Sequence, residues 1–264
     1  MSLKKTFAEY LEIPAINWST LKEMARSPLH YQHRLANPRE DSAGLARGRA
    51  IHTAVLEPEK FSEEYVVFDG PRRAGKAWDE FEVAHTDKTI LKKDEYDKAW
   101  HAAIAVKRHP EVVALMRKGK PEQSFTWKNQ ETGLKCKCRV DWKGEVLFDL
   151  KSTGDVDARK FGNIAARMMY YGQLAMYRDG AKHDGEVFMA VVEAEPPFDV
   201  AVFKLSDDDL LAGKELYTGF LKRVVECKKA GVWPGRYLDR QTLELPRYVF
   251  EDDAQEDGTS VVVE

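Results

Sequence analysis

Asp141, Asp149 and Lys151 lie in the stretch CRVDWKGEVLFDLKST, Cys138 to Thr153, within two runs whose alternation predicts adjoining strands. Side chains two apart on a strand share a face, so Asp149 and Lys151 project together while Leu150 points the other way. Asp141, near the end of the preceding strand and joined by the tight WKGE turn region, can stand beside them. Two carboxylates and an ammonium then form a compact group. Hard oxygen donors of this kind suit Mg²⁺ or Mn²⁺, which keep several waters and take few protein carboxylates. Lys151 would hold or deprotonate a water aimed at phosphorus, while the metal stabilises charge on the phosphoryl oxygens. The same spacing also describes an Asp–Lys ion pair on an exposed strand, which is common and weak. The Val, Leu and Phe of VLFDLKS favour desolvated groups, and with them the chemical reading.

Asp141 followed by Asp149-Leu150-Lys151 resembles the D…(D/E)-x-K signature of the restriction-endonuclease-like, or PD-(D/E)xK, nuclease superfamily. Its companions are Gly48 and His52 in an upstream helical stretch, Glu122 opening the strand EQSFTW, and Gln173 with Tyr177 in the helix after the motif. With ETGLKCKCRVDW as the central hairpin, the ordered set resembles the C-terminal nuclease domain of the exonuclease VIII, or RecE, type. Phage lambda exonuclease and the RecB nuclease domain are more remote members. The likeness runs from INWSTLKEMARSPLHY to AVFKL.

That resemblance implies roles. Asp141 and Asp149 would be metal ligands, the Leu150 carbonyl a further one, and Lys151 the residue that positions the attacking water. His52 would be the helical histidine ligand, and Glu122 would support the metal or its waters. Gln173 and Tyr177, one helical turn apart, would contact the DNA backbone or the nucleophilic water. Taken alone, His52 fits a packed or hydrogen-bonded histidine, Glu122 a solvated strand end, and Tyr177 a core aromatic whose hydroxyl reaches the surface.

The resemblance also implies an activity: Mg²⁺-dependent (or Mn²⁺-dependent), processive digestion of linear double-stranded DNA from the 5′ end. The product would be a 3′ single strand for recombination by a partner single-strand annealing protein, in a phage or prophage setting. A ring-shaped homo-oligomer is implied as well, a trimer as in lambda exonuclease or a tetramer as in the RecE type. Alternatives are a CRISPR-associated or other repair nuclease of the same fold, and a catalytically silent DNA-binding module. The first usually adds cysteines for an iron–sulfur cluster, and this chain has three, with Cys136 and Cys138 poorly spaced for that or for zinc. Intact Asp141, Asp149 and Lys151 speak against the second.

A backbone-gripping enzyme needs cations. The candidates are Lys22 and Arg26, then Arg47 and Arg49 flanking the His52 helix, then Arg72, Arg73 and Lys76 in the loop DGPRRAGKAW. Each cluster equally fits a solvated cationic face. The net charge of −3, from 41 Lys and Arg against 44 Asp and Glu, decides nothing, because a basic channel can sit on an acidic protein.

The elements that must position these groups follow from pattern. A helical N-terminal part starts at Asn17 with Pro28 closing its first helix, and SAGLARGRAIHTAVL is helical until EPEKF breaks it. Helices are expected over 93–107 and 111–117, three antiparallel strands from EQSFTW to FDLKS, helices over 158–167 and 170–180, two strands joined by Pro196-Pro197, and a long helix over 207–229. This is an α/β (α+β) fold with a mixed central sheet flanked by helices, one domain over residues 1–250, and an acidic flexible tail over 251–264. The composition, 43% hydrophobic and 32% charged, predicts a soluble cytoplasmic protein with no membrane segment and no secretion signal in MSLKKTFAEYLEIP.

Overall fold

A computed structural model of the chain describes residues 5–38 and 43–246. The acidic tail expected over 251–264 lies outside the described residues. Helix starts are written locally. Thr6 and Glu9 form a reciprocal capping box at α1 (Phe7–Leu11), Asn17 accepts the Thr20 amide to cap α2 (Trp18–Leu21), and Ser27 caps α3 (Pro28–Ala36). Pro28 therefore opens a helix and does not close one; α2 ends earlier and passes into a 3₁₀ turn, Lys22–Ala25. Proline suits the first helical position because its missing N–H would have had no partner there. For the same reason EPEKF does more than break α4 (Ala43–Leu56): Pro58 starts α5 (Pro58–Glu64).

A parallel pair, β1 (Tyr65–Phe68) and β2 (Thr89–Lys92), encloses α6 (Lys76–Ala84). The loop expected up to Trp78 thus ends at Lys76, where helix begins. Next come α7 (Lys93–Arg108) and α8 (Pro110–Leu115), divided at Pro110. The main sheet is built from β3 (Gly119–Lys128), β4 (Lys135–Gly144) and β5 (Leu147–Thr153), then, after α9 (Ala158–Met168) and α10 (Tyr170–Gly180), from β6 (Val187–Glu193) and β7 (Val200–Lys204). Its order is β3-β4-β5-β6-β7, antiparallel except for the parallel β5–β6 pair that the two-helix crossover makes. The chain ends its folded body with α11 (Asp207–Ala230).

Two apolar cores lie against this sheet. One gathers Leu174 and Met176 of α10 and Leu221 of α11 on Leu147, Val187 and Val191. The other packs Ile51 of α4 and Ala102 of α7 on Phe148, Leu150, Ala190 and Val192. The alternation along β5 and β6 is what sends successive side chains to different cores.

One departure from regularity shapes the site. β4 and β5 pair only at Trp142 with Phe148 and Lys143 with Leu147, and then diverge. The N-terminal segment fills the vacated edge of β4: the Ile16 amide donates to the Lys135 carbonyl at 2.9 Å, and the Lys137 amide to the Ile16 carbonyl at 2.8 Å. The Lys137 ammonium, 4% exposed, donates to the carbonyls of Tyr10, Leu11 and Ile13, each at 2.9 Å. A cation suits the negative end of α1. Residues 10–16 thus act as a wedge that keeps β4 and β5 forked.

Among the described residues no helix is long and apolar enough to cross a membrane.

Candidate active site

The mouth of the fork collects the acidic groups. Pro121 pairs with Trp142 and Gln123 with Val140, so Glu122 belongs opposite Asp141; the Trp142–Phe148 pair likewise puts Asp141 across from Asp149. Neither pairing is made. Glu122 has φ 52°, a left-handed conformation that costs a residue with a Cβ about 1 kcal/mol, and it turns out of the ladder. The Leu150 amide, left without a strand partner by the fork, donates to Asp141 Oδ2 at 2.7 Å. Strand irregularity is therefore what frees these carboxylates for chemistry.

His52 enters from α4, with its Nδ1 3.5 Å from Asp141 Oδ2. One donor atom from each of His52, Glu122 and Asp141 lies within 4.8 Å of the others. An imidazole nitrogen and two carboxylate oxygens are a donor set that fits a hard or borderline divalent cation. The electrostatics fit one too. Burial, and then the neighbouring Asp149 charge, hold the Asp141 carboxyl well above the ordinary carboxylate range. The Glu122 carboxyl is pushed up to about 7 by burial and by Asp141, against the pull of Arg139. Burial and the Lys151 charge hold the His52 imidazole below its usual value, so it is neutral at neutral pH, the form that ligates metals. The His52–Asp141 contact is accordingly not a salt bridge. Crowded carboxylates beside a neutral imidazole are short of positive charge, which a bound cation would supply.

Asp149, 1% exposed, is held differently. Its Oδ2 meets the Lys151 ammonium and its Oδ1 accepts from Gln173 Nε2 of α10 at 2.9 Å. Burial works against the Lys151 charge, but Asp149 and Asp141 overcome it and keep the amine protonated above its ordinary value. The ammonium also sits over the Tyr170 ring, 4.7 Å from its centroid. Tyr177 packs against the core, and burial raises its hydroxyl pKa far above the usual tyrosine value, with Tyr10 and Asp149 adding to it. The structure thus brings His52, Glu122, Asp141, Asp149, Leu150, Lys151 and Gln173 together, with Tyr177 behind them.

The cations expected to grip DNA are spread over three elements. Arg47, exposed on α4, reaches Glu195 at 3.9 Å, and Arg49, one helical turn before His52, hydrogen-bonds Tyr65. Arg26 pairs with Glu23 at 3.5 Å, near half-buried Lys22. Arg72 and Lys76 are exposed, the latter 3.8 Å from Glu80. Arg73 ties its loop to β2 and α7, donating to the Ile90 carbonyl at 3.1 Å and to Glu95 at 3.2 Å. All three cysteines are buried free thiols.

Sequence reasoning missed two residues that touch this group, Tyr170 and Arg139. Arg139 stands two residues before Asp141, and that spacing alone marked it as a neighbour. Tyr170 precedes Gln173 by three, one helical turn, and was open to the same argument.

The family model described as a PDDEXK-like domain of unknown function (DUF3799) matches residues 17–240. A crystal structure from Eubacterium rectale, described as "Putative exonuclease", superposes with a TM-score of 0.62 at 15% identity, over 96% of this chain and 99% of that one. A phage related exonuclease from Haemophilus somnus 129PT covers 85% of this chain and 100% of its own at 12% identity, with a TM-score of 0.35. At such identities the first likeness shows fold, and the second carries no argument. No curated protein matches the sequence.

Proposed function

Because the chain belongs to the PDDEXK-like family DUF3799, we propose that it is a divalent-metal-dependent nuclease, and more narrowly an exodeoxyribonuclease. Its substrate is linear double-stranded DNA, degraded processively from the 5′ end to leave 3′ single strands for recombination by an annealing protein. The observation that carries the reading is the convergence of His52, Glu122 and Asp141 donors within 4.8 Å, next to the Asp149–Lys151 pair. A nuclease-like fold alone would not support an activity, since folds host many functions.

His52, Glu122 and Asp141 would hold the cation, with Asp149 and the Leu150 carbonyl beside them. When bound, Mg²⁺ or Mn²⁺ supplies Lewis-acid stabilisation of charge on the phosphoryl oxygens. The protein's own groups do the rest. Lys151, kept cationic by Asp149 and seated on Tyr170, presents N–H donors to a water or a phosphoryl oxygen. Gln173 fixes the Asp149 carboxylate and so the amine that leans on it. Exposed Arg47, on the helix that carries His52, offers a phosphate contact near the cut. Encirclement of the duplex by a ring-shaped trimer or tetramer accounts for processivity, because a threaded substrate cannot diffuse away between cuts.

The test is a duplex labelled separately at each 5′ and 3′ end, incubated with Mg²⁺, with Mn²⁺ or with EDTA. Release of the 5′ label first, loss of release in EDTA, and a drop of at least about 100-fold in Lys151→Ala are expected. DNA binding with no metal-dependent release from either end would instead identify a silent binding module.

A further inference from the structure

Arg139 is the cation most enclosed by this group, and the proposed reaction gives it no part. Its side chain is 9% exposed. Nε donates to Glu122 Oε2, Nη1 donates to Ser124 Oγ at 3.2 Å and to the Lys5 carbonyl at 3.0 Å, and Nη2 faces Glu57 Oε2 at 4.0 Å. Four partners from three parts of the chain, β3, the N-terminal segment and the start of α5, therefore fix the plane of one guanidinium. Glu122, its closest partner, is the residue in the left-handed conformation whose ladder pairing with Asp141 is broken. Among the described residues Arg139 is the one hydrogen-bond donor to the Glu122 carboxylate, and β3 does not pair with β4 at that position.

We propose that Arg139 is the positioning residue that presents Glu122 to the divalent cation, with the N-terminal segment anchoring Arg139 through the Lys5 carbonyl. The proposal rests on the nuclease reading above, since it presumes a cation at His52, Glu122 and Asp141. A rigid, planar donor fork suits the task; the flexible point charge of lysine would not reproduce it. Charge and direction act oppositely here. A guanidinium near a metal repels it, but Glu122 and Glu57 already meet that charge, so what removal takes away is the aim of Glu122. Ligand-supporting partners of this kind typically contribute about 10- to 100-fold to metal affinity.

The experiment is calorimetric titration of Mn²⁺ into the full chain without DNA, for wild type, Arg139→Gln, Arg139→Lys, Glu122→Gln and the Arg139→Gln/Glu122→Gln double variant, with thermal melts alongside. Arg139→Gln is expected to raise the Mn²⁺ dissociation constant about tenfold, and Arg139→Lys less. In the Glu122→Gln background Arg139→Gln should add nothing, because the residue acts through Glu122. Should Arg139→Gln fail to fold, Arg139→Lys takes its place in the same comparison. Unchanged or tighter Mn²⁺ binding, or a loss that adds fully to that of Glu122→Gln, overturns the proposal while leaving the nuclease reading intact. A wild-type chain that binds no Mn²⁺ overturns both.

Discussion

Asp149 is buried between an amine and an amide, so replacing it separates chemistry from packing. In Asp149→Asn the Lys151 ammonium loses its closest counter-charge, which costs about 1–3 kcal/mol. Asp141 simultaneously loses the carboxylate that presses its pKa upward. The two effects oppose, and Lys151, 15% exposed, can turn towards water. We expect a folded protein with a melting temperature within a few degrees of wild type and nuclease activity lower by about 100-fold or more. Near-normal turnover would remove Asp149 from the metal and water machinery. Glu122 carries a pH signature. Its folded pKa, about 7, lies above the unfolded carboxylate value, so its contribution to stability is complete below pH 4.5 and is lost as pH rises through 7. His52 works in the other sense at lower pH, since burial holds its imidazole below the usual histidine value. Asp141, whose carboxyl burial holds higher still, acts in the same sense, so between pH 6.5 and 8 metal-free protein should melt lower as pH rises, Mn²⁺ should restore more at pH 8 than at 6.5, and Glu122→Gln should shrink the trend without abolishing it. A flat wild-type profile in EDTA would contradict the crowding of carboxylates described above. Of these residues, Asp149 and Lys151 were legible because a strand repeats every two positions. The left-handed turn at Glu122 was not, since no local residue signals it; the contact its side chain makes, with Arg139 on the neighbouring strand, is tertiary.

Strands and helices were read most easily where the period was sustained: β3, β4, β5, β6, β7, α10 and α11 follow from alternation or from the helical repeat. Short elements escaped. β2 has four residues between a turn and a helix, too few to show a period. α1 escaped although Thr6 and Glu9, three apart, spell a capping box. The fork between β4 and β5 could not be read at all, because the meander pattern predicts a full ladder and the wedge that opens it comes from residues more than a hundred positions away. That wedge is testable through Lys137. In Lys137→Met three carbonyls lose their donor and one of them is buried, so we expect a loss of about 2–3 kcal/mol in unfolding free energy. The bond between residues 10 and 16 and the rest of the chain should also become the first one cut in limited proteolysis. Unchanged stability and unchanged protease resistance would mean that the wedge holds itself in place without Lys137.

At the scale of the molecule, the proposed ring predicts sedimentation as a trimer or tetramer, retained at dilute concentration; a monomer both with and without DNA would remove encirclement as the source of processivity. The fold class was legible from the order of helices and strands, because a parallel β5–β6 crossover is what two helices between two strands commonly produce. How copies would assemble was not, since surfaces that meet a second copy carry no period. One more consequence comes from the bond between Arg139 and the Lys5 carbonyl. It puts Lys5 one guanidinium away from a carboxylate proposed to bind metal. Lys5 and the wedge of residues 10–16 belong to one stretch, so deleting that stretch would disturb the Glu122 carboxylate and the fork between β4 and β5 together.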